Sequence, residues 1–213
     1  MARTKLKKLK KLDDMPNVFS SRDTDAVTKL RHFFTSEKLL TLEIGCGHGD
    51  YTVELAKIYP ERNFIGIDVK GARIYRGASR AIEMKLENVA FLIAKAESLT
   101  TIFDAKTIEE IYIPFPDPHV KRSKQSRRLV SPPLLEIYKA LVIDSSRIHF
   151  KTDNNKLFDY ALTSIEHTGG KILFATEYLN KEQGEEFNTG ILTSYEKYYL
   201  REGRTIKYVC FKF

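Results

Sequence analysis

Residues 42 to 50 read LEIGCGHGD, and this segment constrains the fold more tightly than any other part of the chain. An apolar run carrying one carboxylate, Glu43, gives way to Gly45, Gly47 and Gly49. A helical pattern, DYTVELAKIYP, follows at once, with Tyr51, Leu55, Ile58 and Tyr59 on one face, Asp50 placed to cap the start and Pro60 to stop it. Alternate glycines between a strand and a helix permit a sharp turn and let a ligand approach the backbone closely. Nineteen residues after Gly49, Asp68 ends a second apolar run, NFIGIDV.

The same rhythm extends through the whole chain. Apolar runs of strand length occur near 39–45, 63–69, 89–94, 109–115, 146–152, 171–179 and 205–213. Seven strands alternating with helical patterns predict an α/β fold, a Rossmann-like, mostly parallel sheet with helices on both faces. The segment PPLLEIYKAL from Pro132 places prolines where a first helical turn tolerates them. A second amphipathic repeat, Leu157, Phe158, Ala161, Leu162 and Ile165, ends at Gly169 and Gly170. Between the last two strands, Asn180 to Gly203 holds a polar, glycine-containing loop and the helical stretch ILTSYEKYYLRE. An insertion there is expected to overhang the sheet edge where open α/β folds bind ligands.

At 213 residues the chain is long enough for one substantial core, so a single domain over 21–213 is expected, preceded by a flexible basic arm over 1–20. No apolar run is long enough to span a membrane and no secretory leader is seen, which predicts a soluble, cytoplasmic protein. Cys46 and Cys210 belong to no CxxC pair, so they read as buried reduced thiols with no structural metal. A monomer or a homodimer fits equally well.

The net charge of +7 is concentrated in two places. Arg3, Lys5, Lys7, Lys8, Lys10 and Lys11 form one basic run, and Lys121, Arg122, Lys124, Arg127 and Arg128 the other, on an otherwise net acidic chain. Such clustering suits a polyanion, because each neutralised phosphate releases condensed counterions.

The glycine turn and Asp68 fit either a dinucleotide or S-adenosylmethionine, since in both an acid at the end of the second strand can accept from ribose hydroxyls. Spacing and charge separate the two. A dinucleotide fingerprint is G-x-G-x-x-G opening toward a pyrophosphate, whereas here the spacing is G-x-G-x-G. Glu43, just ahead of the first glycine, would repel a pyrophosphate but suits the cationic amino-acid end of S-adenosylmethionine.

The fourth strand runs into PDPHVKRSKQSRRL, where Pro116 and Pro118 stiffen the chain around Asp117. Taken with LEIGCGHG, the Asp68 strand end, KTDN at Lys151–Asn154 and TSYE at Thr193–Glu196, this segment makes the chain resemble the bacterial tRNA (guanine-N7) methyltransferase family from Glu43 to the C-terminus. The resemblance implies a class I methyltransferase fold, S-adenosylmethionine as methyl donor and a guanine in the tRNA variable loop as acceptor. It places Glu43, Gly45, Gly47, Asp68 and Asp117 at the cofactor, and leaves the Ala96 backbone or the Glu97 carboxylate to stand in toward the adenine. It places Lys121, Arg122, Lys124, Arg127, Arg128, Asp153, Thr193, Tyr195 and Glu196 at the RNA. Carboxylates facing the N1 and N2 donors of guanine would orient it and balance its developing charge, which makes Asp117 and Glu196 the catalytic candidates, with Asp153 beside them. The family usually has tryptophan and proline after PDP, where this chain has His119 and Val120. After the third strand, where the family offers an acid or amide to the adenine, it has Lys95, Ala96 and Glu97.

Guanine N7 has a free lone pair, so methylation needs alignment more than a base. Two other classes stay open from the residues alone: a nucleotide-dependent oxidoreductase, and an RNA-binding protein that has kept the fold but not the catalysis.

Overall fold

The computed structural model describes residues 11–34, 38–179 and 190–213. The chain forms two compact units, one ending at Ile102 and the other starting at Phe103.

In the first unit, β1 (Val18–Ser20), β2 (Leu40–Ile44), β3 (Asn63–Asp68) and β4 (Val89–Ile93) lie in the order β1-β4-β3-β2. The pairings of β1 with β4, β4 with β3 and β3 with β2 are all parallel. Every residue of β3 is buried, the signature of a strand covered on both faces. The helices Asp50–Ile58 and Gly71–Glu83 make the crossovers, and a 3-10 helix, Ala96–Thr101, follows β4.

In the second unit, β5 (Ile108–Pro114), β6 (Val142–Thr152), β7 (Lys171–Thr176) and β8 (Lys207–Lys212) lie in the order β5-β6-β8-β7. β5 and β6 are parallel, while β8 runs antiparallel to both β6 and β7. The helices are Pro132–Leu141, Asn155–His167 and Ser194–Arg201. The last is fastened through Tyr199 and Leu200 to a cluster of Leu179, Ile206, Tyr208 and Cys210.

Eight strands are therefore present among the described residues where seven are expected. The additional one is β1, which lies within the segment 1–20 expected as the basic arm. Residues 1–10 lie outside the described residues, but Leu12 and Asn17 are buried. Asn17 donates from Nδ2 to the Ala78 carbonyl (3.1 Å) and accepts from the Phe91 N–H (2.8 Å). Three strand residues are too short a run to show a period of two, so the polar neighbourhood dominates the sequence pattern.

The helix Gly71–Glu83 buries a stripe of Gly71, Ile74, Gly77, Ala78 and Ala81, most of them small. Small residues carry little hydrophobic signal, yet they allow close approach. A Cβ on Gly77 would meet the His48 carbonyl oxygen at 2.7 Å. Both cysteines are buried, and neither forms a disulfide. No described helix is long and apolar enough to cross a membrane.

Candidate active site

The first unit carries a glycine turn braced by two carboxylates. Gly45, Gly47 and Gly49 all have positive φ, at 77°, 56° and 71°, where a side chain is disfavoured. The N–H groups of Gly45 and Cys46 both donate to the Ile67 carbonyl, at 2.8 and 2.9 Å, anchoring the turn to the end of β3. Asp68 holds it from the other side. Its Oδ2 accepts from the Gly47 N–H (3.0 Å) and its Oδ1 from the Lys70 N–H (2.8 Å). Each oxygen keeps a lone pair beyond these bonds.

Glu43 sits on β2 opposite Gly66 of β3. It is buried, and its Oε2 accepts from the Thr52 N–H (2.8 Å) and from the Thr52 hydroxyl. Gly66 makes room for this contact, since a Cβ there would lie 2.7 Å from Thr52 Oγ1. Burial pushes the Glu43 carboxyl up to about 8 from its ordinary 4.5, against the two bonds from Thr52 and with smaller upward contributions from Asp50 and Asp68. A carboxyl whose folded pKa is raised contributes stability that is full below about pH 4.5 and is lost as pH rises through about 8. Urea unfolding of the ligand-free chain should therefore give a midpoint that falls between about pH 5 and about pH 8. Glu43→Gln should flatten that fall, and an equal fall in both proteins would assign it to other groups.

Ala96 is buried and Glu97 exposed, both in the 3-10 helix after β4. The lining of this unit suits a cation: two acids, an open backbone at Gly47 and no Lys or Arg within the turn. A pyrophosphate would meet Glu43 and Asp68 instead of basic groups. The residues therefore fit S-adenosylmethionine better than a dinucleotide.

The second unit carries the acids and the basic segment. After β5 the chain passes through Phe115 (φ 51°) and His119 (φ 40°), both in the left-handed region, with Pro116, Asp117 and Pro118 between them. Asp117 is exposed. Its Oδ1 accepts from the His119 N–H (3.0 Å) and lies 3.6 Å from the His119 ring Nδ1. The His119 ring thus serves first as a neighbour of Asp117.

The 3-10 helix Arg122–Arg127 presents Lys124 and Arg127 to solvent, and Lys121 just before it is exposed as well. Arg128 departs from the expected pattern. It is buried, with its guanidinium 4.3 Å from the Tyr160 ring centroid, Nε donating to the Pro118 carbonyl (3.0 Å) and Nη2 to that of His119 (3.5 Å). Arg128 fixes the loop that carries Asp117. Its guanidinium is thus engaged by two carbonyls and a ring, unlike the exposed Lys121, Lys124 and Arg127.

Asp153 follows β6 and accepts from Arg204 Nη1 (2.8 Å), while the Arg204 guanidinium lies 4.9 Å from the Tyr199 ring centroid. Thr193 caps the helix Ser194–Arg201, its Oγ1 accepting from the Glu196 N–H (3.0 Å). Tyr195 is exposed and its ring is stacked near that of Tyr199.

Glu196 is the unexpected member. Its neighbours in sequence are polar and tyrosine-rich, yet it has no exposed surface, and neither carboxylate oxygen has a hydrogen-bond partner among the described residues. Its charged neighbour is Lys151, whose Nζ lies 3.6 Å from Oε1 and which is itself buried. Burial raises the Glu196 carboxyl, opposed by Lys151, and burial lowers the Lys151 ammonium, opposed by Glu196. Lys151 belongs to the KTDN motif, but the sequence reading gives it no role. A signal is present in the period of two, which puts His149 and Lys151 on one face of a strand that is otherwise apolar there. Among the described residues no cluster of His, Cys, Asp and Glu could hold a metal ion.

A family model described as "Putative methyltransferase" matches residues 37–209. The chain is 39% identical to the tRNA (guanine-N(7)-)-methyltransferase of Christiangramia forsetii, the match covering 99% of this chain and 98% of that one. It is 36% identical to the enzyme of the same name from Cytophaga hutchinsonii, covering 100% and 99%. Among solved structures it resembles the 16S rRNA methyltransferase KamB, with TM-score 0.65, 16% identity and coverage of 87% and 92%. The antibiotic-resistance methyltransferase Kmr is similar at TM-score 0.62 and 19% identity, with the same coverage. At such identities these structures speak for the fold alone, and that fold is the class I α/β methyltransferase fold. With matches of this identity over essentially its full length, the chain belongs to the tRNA (guanine-N7-)-methyltransferase family.

Proposed function

We propose that this enzyme transfers a methyl group from S-adenosylmethionine to N7 of a guanine in the variable loop of tRNA, in the cytoplasm, giving 7-methylguanosine. The observation that carries the substrate half of this reading is Glu196: an interior carboxylate whose oxygens have no hydrogen-bond partner among the described residues would be met by the N1–H and N2–H₂ edge of guanine, which presents donors side by side. The names of the full-length relatives support the same reaction.

Each group then has a task. Glu43 and Asp68 are the acids that would hold the amino-acid ammonium and the ribose diol, with the open backbone of Gly45 and Gly47 beside them and Ala96 and Glu97 toward the adenine. When bound, S-adenosylmethionine supplies an electrophilic methyl on a sulfonium. The N7 lone pair takes that carbon as the C–S bond breaks, so no proton leaves the nucleophile and no general base is required. Positive charge passes to the purine, and Glu196, with Asp117 and Asp153, stabilises it while fixing the ring. Lys121, Arg122, Lys124 and Arg127 meet the RNA backbone. Thr193 holds the helix turn that carries Glu196, and exposed Tyr195 offers a ring to a base.

A guanine bearing a methyl at N7 is open to borohydride reduction and then to amine-catalysed strand scission. Treating enzyme-modified tRNA this way should cut the chain once, in the variable loop. A cut elsewhere would move the acceptor, and no cut would remove the N7 assignment.

The basic segment gives a separate expectation. Replacing Lys121, Lys124 and Arg127 by Ser should weaken tRNA binding and reduce the log–log salt slope by about two units, somewhat under one for each phosphate left unneutralised. Arg128→Ser should instead lower thermal stability while changing the slope by less than about half a unit, because its guanidinium is spent on Pro118, His119 and Tyr160. Filter binding of tRNA from low to high salt distinguishes the two, and equal slopes in all variants would reduce the segment to a solvated face.

A further inference from the structure

We propose that Lys151 is a positioning residue for methyl transfer: its ammonium, 3.6 Å from Glu196 in the interior of the second unit, keeps Glu196 as the carboxylate that accepts from the guanine edge. The inference rests on the reading of Glu196 as the guanine acceptor and adds the group that makes that acceptor usable.

The geometry is particular. Lys151 lies on β6 between Pro114 of β5 and Tyr208 of β8, its register partners. Its side chain is 5% exposed and that of Glu196 0%, so water does little to solvate either charge. The acid comes from another element, the first turn of the helix Ser194–Arg201, where Thr193 fixes its backbone. A buried pair of this kind adds little to stability, since well-packed apolar residues of similar volume often serve as well or better. What it supplies is a defined charge at a defined place.

The other titratable groups nearby have partners of their own. Two residues before Lys151, His149 is buried, bonded through Nδ1 to the Tyr208 hydroxyl (2.6 Å) and stacked on Tyr112, with Glu110 at 3.8 Å. Burial lowers its pKa, which keeps the imidazole neutral near neutral pH. Two residues after, Asp153 is bonded to Arg204. Lys207 of β8 donates to the Thr205 hydroxyl (3.0 Å), and the Tyr199 phenol, raised by burial and by Asp153, stays protonated. Glu196 is the acid that bears on the Lys151 charge.

Without an adjacent cation, a carboxyl in so dry a place takes up a proton. A protonated Glu196 would offer one donor where the guanine edge also offers donors, and the two would clash.

The test is the pH dependence of single-turnover methyl transfer to unmodified tRNA, with both substrates saturating. In Lys151→Met the acidic limb should move up by about one pH unit or more, with the rate recovering toward the wild-type plateau at alkaline pH. Lys151→Arg should leave the limb near its wild-type position. A uniform loss of rate in Lys151→Met with an unmoved limb would overturn the proposal, because a purely structural defect lowers the profile without shifting it. Carbon-13 NMR of the wild-type chain labelled in glutamate carboxyls, with Glu196 assigned through Glu196→Gln, gives a reading that does not depend on any variant folding. The carboxylate form at pH 7 is expected, and the protonated form there would overturn the proposal. If the wild-type chain forms no 7-methylguanosine, the guanine reading itself falls and the role of Lys151 falls with it, whatever the titration gives.

Discussion

Glu196→Gln should slow single-turnover methyl transfer by about two to three powers of ten, equivalent to about 3–4 kcal/mol of lost transition-state stabilisation. The substitution keeps the size of the side chain but removes an interior anion and presents an NH₂ where the guanine edge also donates. Some stability will be lost as well, because a buried ion pair broken at one partner leaves a charge uncompensated. Lys151→Met/Glu196→Gln separates the two effects. With both charges gone, the melting temperature should return toward the wild-type value while turnover stays low. Recovery of turnover together with stability would make Glu196 a structural residue.

Gly49→Ala should destabilise the chain by about 2–5 kcal/mol, combining a left-handed backbone with an overpacked contact. Gly49 stands at the N-terminus of the helix Asp50–Ile58 with φ 71°. A Cβ there would come within 2.5 Å of the Phe91 ring, which is fully buried on β4, and within 3.2 Å of the Gly77 backbone. Neither neighbour can give way cheaply. Gly47→Ala is the informative companion: its φ of 56° carries the same backbone cost, yet the nearest atom to its Cβ is the Gly45 carbonyl oxygen at 4.0 Å. Denaturant unfolding should rank Gly49→Ala well below Gly47→Ala. Equal stabilities would mean that backbone strain alone matters and that the close packing of Gly49, Gly77 and Phe91 does not.

The glycine turn is legible in the sequence because backbone demands leave few residue choices. Positive φ at three alternate positions calls for glycine, and an acid at the end of β3 stands out against an apolar run. The seven long strands are legible for the same kind of reason. What the sequence hides is the partner of each charge. Arg128 lies in a run of basic residues that looks uniformly solvated, and only the fold turns it inward onto Tyr160. Glu196 sits among tyrosines and lysines that are exposed, and its burial depends on β6, distant in sequence. Small-residue faces are hidden differently. The stripe of Gly71–Glu83 is built largely of Gly and Ala, and the sequence does not show the close approach this lack of bulk permits, as of Gly77 to the His48 carbonyl.

Incubation of the purified chain with methyl-labelled S-adenosylmethionine and unmodified tRNA, followed by digestion to nucleosides, tests the central claim most directly. Label should appear in 7-methylguanosine, and Asp117→Asn and Glu196→Gln should each reduce that yield with the chain still folded. Label in another nucleoside, or tRNA binding with no label transferred, would contradict the account.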